Sequence, residues 1–242
     1  MWSTIWHTFF FDPVYNGLIL FIDIVPGGDV GIAIILITIL VKVILLPLSL
    51  KAARTQRLMR ELDPKLKEIK EKFKDKREEL AKATMEAYKN AGLNPFASIL
   101  LMFIQIPIII ALYLAVYRGG GIPLPEINVA LLFSFVPSPE TVNMMFIGLI
   151  DMAGKSLPLA LLAGGTQFIH SKMSIPKPEP RKDGAKPSMK EDFARSMQMQ
   201  MRYVMPLIIF FVAYTISASI ALYFTVSNFV AIAQEYVVKK HR

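Results

Sequence analysis

Lys42 lies in the middle of Val30–Leu50, a stretch in which no other residue is charged. A lone cation at membrane depth costs at least about 2.5–3.5 kcal/mol on insertion scales. Such a charge is tolerated where it faces a wet cavity or a partner. Thr38 stands four residues before it and Ser49 seven after it. At 100° per residue the three share roughly one helix face. The competing reading is a lysine that snorkels through a thinned bilayer. Lys51, the next cation, is about 13–14 Å further along a helix axis, so the Lys42 side chain alone falls short of the cytoplasmic headgroups. The usual placement of intramembrane charge favours the cavity. Two acids were weighed as partners: Glu235 near the cytoplasmic end of the last apolar block, and Asp151 in or near an outer loop. With no obvious internal partner, the natural counter-ion is an acidic segment of a passing chain, drawn to a cation in low dielectric. A fixed internal acid would instead point to a proton relay.

Further polar groups punctuate the other apolar blocks: Gln105 before Pro107, Gln167 and His170, and Ser227 with Asn228. Each alone reads most simply as a helix-to-helix hydrogen bond. Together with Lys42 they are compatible with a shared hydrated groove. Covalent chemistry has little support. The chain has three histidines and no cysteine, and it carries neither an HExxH zinc helix nor a GxSxG elbow. No catalytic residue, metal ligand or cofactor site is assigned.

These residues need elements to hold them. The 242 residues are 54% apolar, and a spanning helix needs roughly 20 mostly apolar residues. Residues 30–50 form a first span, 95–117 a second, 157–173 a shorter third, and 203–238 the fourth and fifth, broken near Tyr214–Ser219. Residues 1–41 carry no Lys or Arg, whereas Lys51–Gly92 carries 13 against 8 Asp/Glu, and Lys172–Arg202 carries eight. The positive-inside rule puts those two loops in the cytoplasm. The N-terminus is then outside, residues 118–156 form an outer loop, and the basic tail 239–242 is cytoplasmic, which requires an odd number of spans. The start lacks the basic region of a secretory signal. Residues 1–29 read as an outer-face segment, with Tyr15–Val25 an interfacial amphipathic helix anchored by Trp2 and Trp6, and Met144–Ile150 as a segment that dips into the interface.

Residues 51–92 read as a cytoplasmic helical hairpin. Leu62, Leu66, Ile69 and Phe73 make one apolar stripe, and Leu80, Thr84, Ala87 and Ala91 a thinner one. Pro64 suits a first turn or a break, and Lys74-Asp75-Lys76 a turn. Lys65, Lys67, Lys70, Lys72, Lys74, Lys76 and Arg77 give this arm a surface for anionic lipid or ribosomal RNA, unless it is simply a solvated charged pair. Residues 174–202 are a Pro-rich cytoplasmic loop and helix. Met197, Met199, Met201 and Met205 offer an adaptable apolar surface or ordinary packing.

In order along the chain, Ile37-Thr38-Ile39-Leu40-Val41-Lys42 with Pro47-Leu48, Asp63-Pro64-Lys65-Leu66, Tyr88-Lys89-Asn90, Asn94-Pro95, Gln105-Ile106-Pro107-Ile108 with Ala111-Leu112-Tyr113, Met205-Pro206, and Leu222-Tyr223-Phe224-Thr225-Val226-Ser227-Asn228 resemble the YidC/Oxa family of membrane protein insertases. The resemblance runs from about Gly31 to Val238 and is to a short form without a large outer domain. It implies an all-α polytopic fold, with five transmembrane helices around a hydrophilic groove open to cytoplasm and lipid. The family's groove cation, usually Arg, maps onto Lys42, which keeps the charge but lacks the planar fork that grips a carboxylate twice. Thr38, Gln105, Ile106, Ile109, Phe224 and Asn228 map onto groove and substrate-contacting positions. The helix-breaking Pro or Gly common before the last Leu-Tyr is replaced by Ser217-Ala218-Ser219-Ile220-Ala221.

The function so implied is insertion of nascent membrane proteins into the bilayer of the bacterial plasma membrane, by solvation and charge and not by enzymatic chemistry. The implied partners are nascent membrane proteins, membrane lipids and the ribosome, with the Sec translocon a further candidate and no DNA. Two rivals stand beside it. A proton- or ion-coupled secondary transporter needs an acid to titrate against Lys42. An intramembrane hydrolase has only Ser49 or His170 to draw on.

Overall fold

The computed structural model describes residues 2–73, 76–92, 97–118, 121–175 and 196–240. The described chain is mostly helical. It forms α1 (Trp2–Trp6), a π-helical turn (His7–Phe11), α2 (Asp12–Ile24), α3 (Val30–Ile44), α4 (Leu46–Glu61), α5 (Asp63–Lys72), α6 (Arg77–Asn90), α7 (Ala97–Tyr117), α8 (Leu157–Ser174), a second π-helical turn (Gln200–Val204), α9 (Met205–Ile216) and α10 (Ala218–Lys240). The one departure from an all-α fold among the described residues is a two-stranded antiparallel hairpin, β1 (Met145–Phe146) with β2 (Ile150–Asp151). By length and composition, Ser196–Ile216 and Ala218–Val238 are each long and apolar enough to cross a membrane, and Phe103–Tyr117 is a shorter apolar helix. The chain divides into two compact units, one of residues 1–43 and 107–236, the other of residues 44–106 and 237–242.

The core lies in the first unit. In α2, Val14, Tyr15, Leu18, Ile19 and Ile22 are buried; their spacing puts them on one helix face. One face of this helix is therefore built into the core. The reason is polar as well as apolar. Asn16 is buried, and its Nδ2 donates to the Leu131 carbonyl at 3.0 Å while its Oδ1 accepts from the Phe133 amide at 2.6 Å. The Tyr15 hydroxyl accepts from the Asn128 amide at 2.9 Å. Burial pushes the Tyr15 phenol up, partly offset by that hydrogen bond. Amides that would otherwise be orphaned in the loop before α8 thus find partners on α2.

Helix α8 begins at Ser156, whose hydroxyl accepts from the Leu159 amide, with Pro158 in the first turn, an ordinary cap and start. Its small residues Ala160, Ala163 and Gly164 are buried. A Cβ at Gly164 would stand 2.9 Å from Phe210 Cβ and 3.3 Å from the Pro206 carbonyl of α9. Small residues at that line let α8 and α9 approach closely, as helices in lipid commonly do. Between α9 and α10 the chain turns at Ser217, which is extended (φ −171°, ψ 163°). Its hydroxyl meets Ser219 Oγ at 2.8 Å and accepts from the Ile220 amide at 3.4 Å. The Ala218 and Ser219 amides donate to the carbonyls of Gly154 and Met152. Serine capping and the Gly154 and Met152 carbonyls thus do here what a helix-breaking Pro or Gly does elsewhere.

In the second unit, a break at Leu62 separates α4 from α5, with Pro64 in the first turn of α5. Helices α5 and α6 pack against each other. Leu66 and Ala87, one from each expected stripe, are buried, Leu62, Ile69, Phe73, Leu80 and Thr84 are half-buried, and Ala91 is exposed. The turn expected at Lys74-Asp75, the Asn94-Pro95 entry to the second span, and the Pro-rich segment 176–195 lie outside the described residues.

Candidate functional site: a polar face inside the first unit

Helix α3 sorts its side chains by face. Val30, Ala33, Ile34, Ile37 and Thr38 are buried, whereas Ile39, Leu40, Val43 and Ile44 are 41%, 42%, 58% and 64% exposed. Lys42 is four residues beyond Thr38, so at 100° per residue it lies 40° from buried Thr38 and 60° from exposed Ile39, at the border of the two arcs. It is half-buried. The Thr38 hydroxyl donates to the Ile34 carbonyl at 2.6 Å, which leaves its oxygen lone pair directed off the helix.

Other helices of this unit carry polar groups. On α10, Asn228 is buried, and its Nδ2 donates to the Ala163 carbonyl at 3.3 Å and to Thr166 Oγ1 at 3.2 Å on α8. Asn228 thus ties two helices together, the simpler of the readings open to it. Two turns further on, Ser174 donates to Glu235 Oε1 at 3.0 Å, again joining α8 to α10. Gln167 bonds Ser171 within α8. His170 is close enough to both Glu235 and Lys42 to feel each charge. Of the two candidate acids, Glu235 is the one whose charge, like that of Lys42, reaches His170.

Phe224 and Ile109 are partly buried and pack on the core of this unit. Gln105 and Ile106 belong to the second unit, where Gln105 is half-buried and Ile106 is 48% exposed. Ser49 also belongs there, its hydroxyl donating to the Leu46 carbonyl at 3.0 Å. Of the basic residues on the arm, Lys65, Lys72 and Lys76 are exposed; the side chains of Lys67, Lys70 and Arg77, and all of Lys74, lie outside the described set. Among the described residues, no three His, Asp or Glu gather as metal ligands.

Two participants escaped the sequence. Thr166 was indistinguishable from any helical threonine until Asn228 met it. Arg202 is 3% exposed and donates from Nη1 to the Ile175 carbonyl at 3.0 Å; its signal was an arginine abutting the apolar run that starts at Tyr203. At the opposite end of the unit, the Tyr117 hydroxyl donates to the Ala153 carbonyl, with the Ile216 carbonyl at 3.4 Å. With the Ala218 and Ser219 amides bonded to the Gly154 and Met152 carbonyls, this end is knitted by backbone hydrogen bonds.

A mostly helical chain with two helices long and apolar enough to cross a membrane has the make-up of a membrane protein. The family model described as 60Kd inner membrane protein matches residues 21–242, and the chain belongs to that family, the YidC/Oxa family of bacterial inner-membrane proteins. It is 31% identical over 242 residues to a protein of Oceanobacillus iheyensis named "Membrane protein insertase YidC", covering 98% of this chain and 84% of the relative. A protein of the same name from Pelobacter propionicus is 30% identical over 235 residues, 97% of this chain and 39% of the relative. A third, from Francisella tularensis subsp. novicida, is 30% identical over 88% of this chain and 33% of the relative. The chain thus spans well under half the length of two of these relatives.

Proposed function

We propose that this chain inserts nascent membrane proteins into the inner membrane, moving short polar segments across while releasing apolar helices to lipid. Family membership and the shared name of its relatives support the activity. The observation that carries the mechanism is Lys42 itself, a half-buried cation one turn beyond buried Thr38 on the apolar helix α3 and near enough to His170 of α8 for its charge to be felt there. The reading takes the apolar blocks as five spans around a groove, with the N-terminus outside and the C-terminus in the cytoplasm, as the charge bias requires.

The chemistry is solvation, not bond-making. A hydrated groove shortens the apolar barrier a polar tail must cross. Lys42 holds an acidic residue transiently, with Thr38 beside it. Ile106, Ile109 and Phe224 offer apolar contact to the substrate helix, and Gln105 and Asn228 polar contact. The membrane potential adds about 2.3 kcal/mol per charge per 100 mV for an acidic tail moving outward. The basic arm, through Lys65, Lys67, Lys70, Lys72, Lys74, Lys76 and Arg77, is assigned to ribosome or anionic lipid, and the Sec translocon is a further partner.

The test is insertion into proteoliposomes of substrates differing only in tail charge. Lys42→Ala should impair acidic-tailed substrates most, and Lys42→Arg should retain activity. Equal insertion by Lys42→Ala and the parent would remove Lys42 from its role. The presence of Glu235 and His170 near Lys42 favours one second reading, an ion-coupled transporter. Small-solute uptake by the purified protein that disappears in Glu235→Gln would establish it.

A further inference from the structure

The outer loop carries a feature that insertion does not call for. At the turn of the β1–β2 hairpin, Ile147 has φ 46°, a left-handed conformation that β-branched residues rarely adopt. The turn exposes two aliphatic side chains, Ile147 at 59% and Leu149 at 75%. Residues 142–150 contain no charged side chain. Asn or Gly would fit this backbone at lower strain, and a solvated turn would ordinarily use them.

The hairpin is held rigidly at the start of a membrane helix. Asp29 caps α3: its Oδ1 accepts from the Ile32 amide at 3.0 Å, and its Oδ2 accepts from the Ile147 amide at 2.7 Å. The Val30 amide donates to the Asn143 carbonyl, and the Asn143 amide to the Gly28 carbonyl. The Phe146 ring occupies the space that a Cβ on Gly31 would need. The turn thus sits one hydrogen bond from the first residues of α3. That helix has 15 residues and rises about 22 Å, against a hydrocarbon core of about 30 Å. Charged Asp29 directly precedes the uncharged residues 30–41, so on the proposed topology, in which residues 30–50 are the span, the start of α3 lies at the outer interface.

We propose that Ile147 and Leu149 form an apolar anchor that enters the acyl-chain region of the outer leaflet and fixes the depth of the outer end of α3. The occupant of this exposed patch is lipid, because the patch is uncharged, small, and mounted at interfacial depth. The inference rests on the proposed topology, in which residues 30–50 cross the membrane, and not on the insertase activity.

The chain has no cysteine, so single labels report without background. Leu149→Cys and Glu140→Cys, the latter exposed in the same loop, would each carry an environment-sensitive fluorophore in full-length protein reconstituted into vesicles. Acyl-chain nitroxide lipids should quench the label at 149 at least about twofold more than the label at 140, with iodide doing the reverse, as burial of an apolar group past the headgroups requires. Adding Ile147→Asn, which suits the backbone but not lipid, should lower acyl-chain quenching at 149 while the protein stays folded. Equal quenching at both sites would overturn the anchor. So would quenching at 149 by headgroup nitroxides alone, which would place the turn on the membrane and not in it.

Discussion

The two units of this molecule are built on different terms. In the first, helices carry whole faces of nearly inaccessible side chains, such as Tyr15, Leu18, Ile19, Val30, Ala33 and Ile34 at 0% exposure, and buried polar groups such as Asn16, Thr166 and Asn228 are hydrogen-bonded across elements. In the second, Ala52, Thr55, Leu66 and Ala87 are the buried side chains among those described, and the ion pairs Lys76–Glu79 at 2.9 Å and Arg57–Glu61 at 3.4 Å are exposed local pairs, worth at most about 1 kcal/mol each. A scaffold that must hold a cation at a fixed depth needs the first kind of packing. An arm that meets partners through long basic side chains needs only enough core to stay helical.

The sharpest way to break this contrast is to overfill the first unit. Gly164→Leu should force α8 and α9 apart, because the obstructing atoms include the Pro206 carbonyl as well as the Phe210 side chain. Overpacking costs about 1–3 kcal/mol in a well-packed core, and backbone obstruction puts this site at the upper end. The detergent-solubilised variant should show a clearly lowered thermal midpoint; an unchanged midpoint would mean that the helices are not in close contact. Asn16→Ala comes next. It leaves the Phe133 amide and the Leu131 carbonyl without their α2 partner, at about 1–3 kcal/mol for buried groups so orphaned. Its effect should appear first as faster hydrogen exchange at the Phe133 amide.

How much of this was legible beforehand depends on which physical signal each part uses. Hydropathy and charge asymmetry outlined the apolar blocks, and the 100° periodicity of α3 put Thr38 and Lys42 on one face, where the structure has them. The break between α9 and α10 falls at Ser217, within the Tyr214–Ser219 interval where hydroxyls interrupt the apolar run. What periodicity could not give was the partner of each face. An amphipathic segment such as α2 has the same pattern whether its apolar side meets lipid or protein; Asn16 was the residue that decided, through hydrogen bonds to a loop more than a hundred positions away. The hairpin at Met145–Asp151 was hidden for a related reason: two-residue strands carry too little alternation to register. Gln105 and Ile106 were grouped with Lys42 by resemblance, and they fall in the other unit.

Asn228→Ala separates a structural tie from a groove contact. An interhelical hydrogen bond within the membrane is worth about 0.6 kcal/mol on average, so the loss of the bonds to Thr166 and Ala163 should lower stability only slightly. If Asn228 also touches substrate, insertion should fall by more than that small loss explains. The double variant with Thr166→Ala then distinguishes the two. A purely structural tie gives insertion defects that track the fall in thermal midpoint in Asn228→Ala, Thr166→Ala and the pair, whereas a contact with substrate makes Asn228→Ala lose more insertion than its own midpoint shift accounts for.

The smallest effect on stability, and the most informative about the arm, belongs to Lys65, Lys72 and Lys76. All three are exposed, and surface substitutions of this kind usually stay within about 0.5 kcal/mol. Replacing all three with Gln should therefore leave the thermal midpoint in place. Binding to anionic surfaces should weaken nonetheless, since each lysine near such a surface contributes about 1 kcal/mol, and the loss should shrink as salt screens the attraction. Sedimentation with phosphatidylserine vesicles and with ribosomes, at low and high salt, would measure it and show which surface the arm prefers. A drop in the midpoint without a loss of binding would mean that these charges hold the arm together. The arm would then be a second scaffold and not a contact surface, and the contrast between the two units would fail at its thinner end.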